Sequence, residues 1–360
     1  MKRQILYYAL TLIVLTTGWP ELSAKSVVIN GLKYTISDSK HEAMLEDFNT
    51  WTGELVIPSE INNDEQIYTV TEISWRAFDD CKTLTKVRIP KTVREIWHYT
   101  GSKDLCTNPF NGCTNLESIE VDEDNEVFCS VDGVLFKNGM TLLCSYPGGK
   151  KQQSYTVPDN VTRLGTCAFS GNPYLMSIKI PDTVTRINYA FRDCENLEVV
   201  NLPNGLKSLS AFLFRNCKSL KSIEIPDGVE KIEEQVFLGC TSLSVIDIPA
   251  SVYSIGGIAF YGCKLDALVI RGHINGLTPG MGVFGHLDTS TPLYVPASDI
   301  EMYKAAYSGP VLPLESYTTE IAMPNKAKNS STLFDLQGRR LQKESAQGIY
   351  IRDGRKYIGK

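Results

Sequence analysis

The chain of 360 residues carries 36 Lys and Arg against 41 Asp and Glu, a net charge of −5, and 42% hydrophobic residues. The hydrophobic share is ordinary for a folded protein and excludes wholesale disorder. The acidic balance excludes a nucleic-acid binder that works through a broad basic surface.

Residues 1–24 read as an export signal. Lys2 and Arg3 give a basic start, residues 5–16 form an apolar run, and the stretch ends on Leu22, Ser23 and Ala24. Cleavage is expected after Ala24. The run is too short to span a bilayer comfortably, and no later segment of the mature chain could span one. Removing the signal leaves 34 basic and 40 acidic residues, a charge of −6.

Residues 25–52 read as a capping hairpin that turns at Asn30-Gly31 and covers the first coil of a repeat array. From residue 53 to 317 the sequence repeats itself. Pro158, Pro181, Pro203, Pro226 and Pro249 are 23, 22, 23 and 23 residues apart, and each follows an aliphatic residue. A Phe recurs at Phe78, Phe110, Phe169, Phe191, Phe214, Phe237, Phe260 and Phe284. Self-similarity at this period specifies a solenoid, mainly β, of coils of about 22–23 residues. The unit over residues 220–243 shows the logic. Ile223 and Ile225 face inward on a strand with Glu224 outward, and Pro226 ends the strand because it lacks an N–H. Val229 and Ile232 turn inward from a second extended stretch, and Phe237 fills the coil. In the unit over residues 180–203, Val184, Ile187, Phe191, Cys194 and Leu197 serve the stack. Thr185, Arg186, Arg192, Asp193 and Asn201 are read as free to vary, and ligand specificity is expected in that set or in the irregular units at 98–157 and 271–292.

Two stretches depart from the period. An insertion at residues 98–108 reads as a surface loop. Residues 121–157 read as one enlarged coil containing extra strands, with a hairpin turn at Asp132-Gly133. Gly148-Gly149-Lys150 lacks the spacing and the following Ser or Thr of a phosphate loop and reads as a turn. After the last strand, residues 298–307 have N-cap and helical character, so residues 297–317 are expected to cap the array. Residues 318–331 read as a linker. Residues 332–360 read as a small β module with turns at Gln337-Gly338 and Asp353-Gly354.

Cys81, Cys113, Cys194, Cys217, Cys240 and Cys263 each lie three residues after a repeat Phe, and Asn172 takes that place after Phe169. A position that accepts Cys or Asn belongs to a ladder and not to a fixed disulfide. Parallel side chains on stacked coils also suit disulfide geometry poorly. These thiols are therefore expected to be free, buried and apolar in role. Cys106, Cys129, Cys144 and Cys167 lie off the ladder.

No residues specify catalysis, a metal or a cofactor. The four His are His41, His98, His273 and His286, none in a zinc-protease or nucleophile-elbow context. No Cys pair has zinc-site spacing. Charged pairs such as Asp79-Asp80 and Glu233-Glu234 read as surface. The candidate ligand face is the outward strand position of successive coils: Arg88, Glu120, Lys179, Asn201, Glu224 and Asp247, running from mixed charge to acidic.

The repeat pattern, with its Ile-Pro, Val-x-x-Ile, Ala-Phe and Cys-x-x-Leu positions, resembles the BspA-like leucine-rich repeats of bacterial surface proteins over about residues 53–296. The segment from Phe334 through Gly338, Arg339 and Arg340 to Gly348, Tyr350, Gly354 and Lys356 resembles the C-terminal sorting domains of type IX secretion. The resemblance implies an exported protein of a Gram-negative, host-associated anaerobe, located at the cell surface or outside it, with a periplasmic or outer-envelope place as the alternative. It implies adhesion to host or bacterial macromolecules, a protein or a glycan, without enzymatic activity. The competing expectation is a structural or assembly protein that holds a bacterial partner in the envelope.

Overall fold

Each coil contributes two short extended stretches, and equivalent stretches pair in parallel one coil apart. The structure, a computed structural model, describes residues 25–46, 50–97, 106–275, 282–285 and 287–317, with the backbone of four further strands between 333 and 359. Residues 1–24, residues 98–105 of the insertion, His98, His286, the linker and the turns of the C-terminal module lie outside the described residues. The first strand row runs in three groups. Gly53–Val56, Leu84–Ile89 and Ser118–Val121 form one sheet, and Ser154–Thr156, Ser177–Lys179 and Val199–Asn201 a second. Val245–Ile248, Ala267–Ile270, Leu293–Val295 and Val311–Pro313 form the third. Registers such as Ser177↔Val199 and Lys179↔Asn201 place equivalent residues side by side. The fold is a leucine-rich-repeat-type β solenoid.

The repeat Phe residues stack along the middle of the solenoid. Phe191, Phe214, Phe237 and Phe260 have no solvent exposure, with ring centroids 5.7, 5.8 and 6.2 Å apart and planes within 8°. Tyr146 holds the same place in the enlarged coil, 5.1 Å from Phe169. Each buried aromatic or aliphatic side chain contributes about 1.5–3 kcal/mol before conformational costs, and it gains that only with a coil on either side.

The ladder cysteines do more than fill space. The thiol of Cys194 donates to the carbonyl of Phe169 in the preceding coil, Cys217 to Phe191, Cys240 to Phe214 and Cys263 to Phe237, each at 3.1 Å. Cys113 does the same to Phe78 at 3.0 Å. Most of these carbonyls also accept a backbone N–H within their own coil, as Phe191 accepts from Cys194 at 3.2 Å and Phe214 from Cys217 at 3.0 Å, so both lone pairs are used. The purely apolar reading of these thiols is therefore corrected. Asn172 fits the slot for the same reason: its amide donates to the carbonyls of Pro147 and Gly148. Burial pushes the Cys194 and Cys263 thiols up to about 12 and holds Cys217 and Cys240 well above the ordinary value.

Two rows of left-handed backbone flank the Phe stack. Two residues after the Phe stand Asp80, Gly112, Gly171, Asp193, Asn216, Gly239 and Gly262, all with positive φ. These are the residue types that adopt this conformation at least cost. Two residues before the Phe stand Cys167, Tyr189, Phe212, Gln235 and Ile258, also with positive φ, from 49° to 61°. None of these five is favoured there, and each carries a left-handed penalty of about 1–2 kcal/mol.

The enlarged coil joins two halves of the core. Phe128–Val131 and Val134–Lys137 form an antiparallel hairpin that continues into Leu142–Ser145. Leu135, Leu142 and Cys144 pack toward the N-terminal half, and Val134, Phe136, Leu143 and Tyr146 toward the C-terminal half. Gly148 and Gly149 are packing glycines: a Cβ would lie 2.6 Å from the Cys113 carbonyl oxygen and 2.4 Å from the Asn115 carbonyl carbon.

Three strands open the described chain. Lys25–Ile29 and Leu32–Ser37 turn at Asn30-Gly31, both with positive φ, and Glu42–Leu45 pairs in parallel with Gln66–Ile73. At the other end the helix Ile300–Ala306 places the buried Tyr303 beside Phe284 at 6.0 Å. Asp299 makes no side-chain cap to this helix; its carboxylate meets His273 Nδ1 at 3.1 Å. One strand expectation fails. Residues 222–225 lack ladder pairing, although Ile223 and Ile225 remain buried and Glu224 exposed. The apolar alternation survives there without hydrogen bonds to either neighbour, and the first strand row is interrupted.

Candidate functional site

The outward positions of the first strand row lie in register, as the pairings Val56↔Arg88↔Glu120 and Thr156↔Lys179↔Asn201 show. Their environments differ along the array. In the N-terminal coils Glu120 receives Lys86 at 2.6 Å and Arg88 at 3.1 Å, which holds its carboxyl below the usual carboxylate range. Both candidate residues there, Arg88 and Glu120, are thus spent on each other and on Lys86.

Asn201 is also committed. Its Oδ1 accepts the Ile180 N–H at 3.1 Å and its Nδ2 donates to the Ile180 carbonyl at 3.0 Å. It closes the open end of the neighbouring strand, so it does not belong with the residues free to vary. Asp193 leaves that set as well. It has left-handed backbone, pairs with Arg192 at 2.9 Å and accepts from Asn216 at 2.7 Å.

In the C-terminal coils Arg271 grips Asp247 through two bonds of 2.7 Å, and the Asp247 carboxylate raises the Arg271 guanidinium further. Beyond that pair the outer face is covered. Ala267, Val269 and Tyr294 form a small apolar cluster beneath Leu312, Leu314 and Tyr317, with the Tyr294 and Tyr317 rings 5.0 Å apart.

What remains open is the outer face of the middle coils. Lys179 and Glu224 are exposed and make no side-chain hydrogen bond or ion pair with any described residue. Between them Val199 stands 47% exposed beside Ser177. Of the six candidate residues, Lys179 and Glu224 are the two without a side-chain partner among the described residues, and Val199 stands exposed beside them. The sequence signal for Val199 was its outward place on a strand where polar residues are the rule.

Among the described residues no three His, Cys, Asp or Glu converge on a metal position. Burial raises the thiols of Cys113, Cys144, Cys194, Cys217, Cys240 and Cys263, which favours the protonated form over the nucleophilic thiolate. No helix among the described residues is long and apolar enough to cross a membrane.

A stack of parallel coils with a laterally exposed strand row defines a repeat scaffold of the leucine-rich class. The sequence narrows this further. The family model for the BspA type leucine rich repeat region matches in six copies over residues 59–130 and 146–266, more than half of the chain, and the chain belongs to that family. Among solved structures it is similar to the pneumococcal vaccine antigen PcpA at 19% identity, with a TM-score of 0.52, over 81% of this chain and 98% of that one. It is similar to a leucine-rich repeat protein from Bacteroides ovatus at 24% identity, with a TM-score of 0.44, over 74% of this chain and 65% of that one. A leucine rich cell surface protein from Faecalibacterium prausnitzii matches at 18% identity, with a TM-score of 0.38, over 82% of this chain and 99% of that one. At these identities the likeness is one of fold. No curated protein matches the chain in sequence.

Proposed function

We propose that the chain is an exported, non-enzymatic recognition scaffold that holds a protein or glycan through the outer face of its middle coils. One observation carries the reading. Lys179 and Glu224 are candidate-face charges left without a partner among the described residues, while the coils before and after are neutralised or covered. Unpaired charges around an exposed aliphatic residue steer and orient a partner, and such binding weakens with salt. The similar fold of PcpA is that of a vaccine antigen, which supports an exposed location. Residues 1–24 serve as the export signal and residues 332–360 as a sorting-type module. The mature protein then begins at Lys25, which N-terminal sequencing of the exported form checks.

The test is a binding screen of the mature chain against host matrix proteins and against host and bacterial glycans. Saturable, salt-sensitive binding lost on Lys179→Glu and Glu224→Lys supports the reading; binding unchanged in both variants removes this face from consideration. The envelope-assembly alternative separates by location. Resistance of the protein to protease added to intact cells would exclude a surface adhesin.

A further inference from the structure

From Phe169 to Phe260, the row of residues two before the repeat Phe conflicts with its own backbone. The row two after the Phe meets the same left-handed demand with Gly, Asn and Asp throughout. The row before it uses Cys167, Tyr189, Phe212, Gln235 and Ile258. Unfavourable backbone filled by bulky residues in consecutive coils, beside neighbours that solve the same problem cheaply, points to a use for those side chains.

Backbone bonds from Asn216 to the Leu238 carbonyl and from Gly239 to the Tyr261 carbonyl set these rows side by side on successive coils. Tyr189 and Phe212 are half-buried, with rings stacked 5.6 Å apart at 20°. The Arg215 guanidinium lies over the Phe212 ring at 5.7 Å. One turn along follow Leu238 and then Ile258 with Tyr261, a residue 43% exposed. Aromatic residues and Arg are the types enriched where protein interfaces bind most strongly.

Two features select the partner. Arg215 makes no side-chain hydrogen bond or ion pair with any described residue, and its Nε is shielded from solvent without an acceptor. The terminal nitrogens of this guanidinium, and not the shielded Nε, are left to meet a carboxylate. The Phe212 ring already meets Tyr189 and Arg215, and Leu238, Ile258 and Tyr261 supply the rest of the patch. Leu238 and Ile258 beside these rings offer aliphatic contact, which suits the apolar side chains of a protein segment.

We infer that Tyr189, Phe212, Arg215, Leu238, Ile258 and Tyr261 form a second docking surface, for a protein segment in which a carboxylate neighbours apolar side chains. It shares with the proposed function only the premise that the chain binds a macromolecule. Its residues are separate from Lys179, Val199 and Glu224.

The experiment uses the mature full chain and immobilised synthetic peptides that combine Asp or Glu with Leu, Ile and Phe. Matched peptides carry Lys in place of the acids, and a glycan array stands beside them. Acidic apolar peptides should bind about tenfold or more tighter than their basic counterparts, and Arg215→Gln should abolish that difference. Phe212→Asn suits the left-handed backbone while removing the ring, so it should weaken all peptide binding and leave the thermal midpoint unchanged or higher. Tyr261→Ser, at a position outside the strained row, should also weaken binding. Lys179→Glu and Glu224→Lys should leave peptide binding intact, so the two surfaces succeed or fail independently. Equal binding of acidic and basic peptides would overturn the inference. So would indifference to Phe212→Asn and Tyr261→Ser, or glycan binding lost in those same variants.

Discussion

Phe214→Ala tests whether the aromatic stack holds the array together. Phe214 is fully buried, with Phe191 centred 5.7 Å away on one side and Phe237 5.8 Å away on the other, at interplanar angles of 6° and 8°. Truncating a buried Phe costs about 3–5 kcal/mol through lost transfer energy and the cavity left behind. Two near-parallel ring contacts place this site at the upper end, since each aromatic pair is worth about 0.5–1.5 kcal/mol beyond its buried area. Phe284 provides the contrast. It is 7% exposed, and its contacts are tilted rings of Tyr303 and Tyr307 at the end of the array. Phe284→Ala should cost roughly half as much. In a nearest-neighbour array a central defect also uncouples the coils on either side, so Phe214→Ala should divide one urea transition into two. Circular dichroism through urea unfolding reads both effects. A midpoint within about 1 kcal/mol of the parent, or equal costs for Phe214→Ala and Phe284→Ala, would refute the reasoning.

Three further outcomes are expected. Gly239→Ala should destabilise more than Gly262→Ala, because a Cβ at Gly239 meets Asn216 Oδ1 at 2.5 Å whereas the nearest atom at Gly262 is 3.6 Å away; Gly262→Asn should be close to neutral, and thermal melting of the three variants checks the order. Amides of residues 222–225 should exchange with deuterium faster than those of Val245–Ile248, which pair with Ala267–Ile270; equal protection would contradict the interruption of the strand row. Burial raises the Cys194 thiol from an ordinary 9.0 to about 12, so the folded state keeps a proton that the unfolded state gives up. That contribution is complete below pH 9 and is lost as pH rises from about 9 to 12, at about 1.4 kcal/mol per pH unit for each such thiol. Cys194→Asn, which copies the natural Asn172 of the same ladder, should make the alkaline loss shallower by one proton, as measured by urea unfolding across that range.

The period, the Phe stack and the inward aliphatics were legible in the sequence because each depends on residue type repeated at fixed spacing. Tyr146 precedes Phe169 by 23 residues and so keeps the period, but its different residue type hides it within the Phe pattern. The thiol donors were half visible. Exchange between Cys and Asn marked a ladder, and what those residues share is a hydrogen-bond donor, not apolar character. The left-handed row before Phe169 to Phe260 was hidden because Tyr189, Phe212 and Ile258 are residue types that signal extended backbone. On the candidate face, sequence placed six residues outward but could not show that Asn201 turns back onto Ile180 or that Arg271 neutralises Asp247. Those contacts link positions 21 and 24 residues apart in sequence, and only the stacking of coils brings them together.

The last strand of the first row, Val311–Pro313, bears on how copies of this protein meet. A parallel solenoid ends in a strand whose outer edge could template another chain and begin a filament. Here the terminal strand is three residues long and is bounded by Pro310 and Pro313, neither of which can donate a backbone hydrogen bond. Leu314 and Tyr317 then fold over the adjoining sheet face. A short edge bounded by proline offers a second chain few backbone donors, which disfavours open-ended growth from this end.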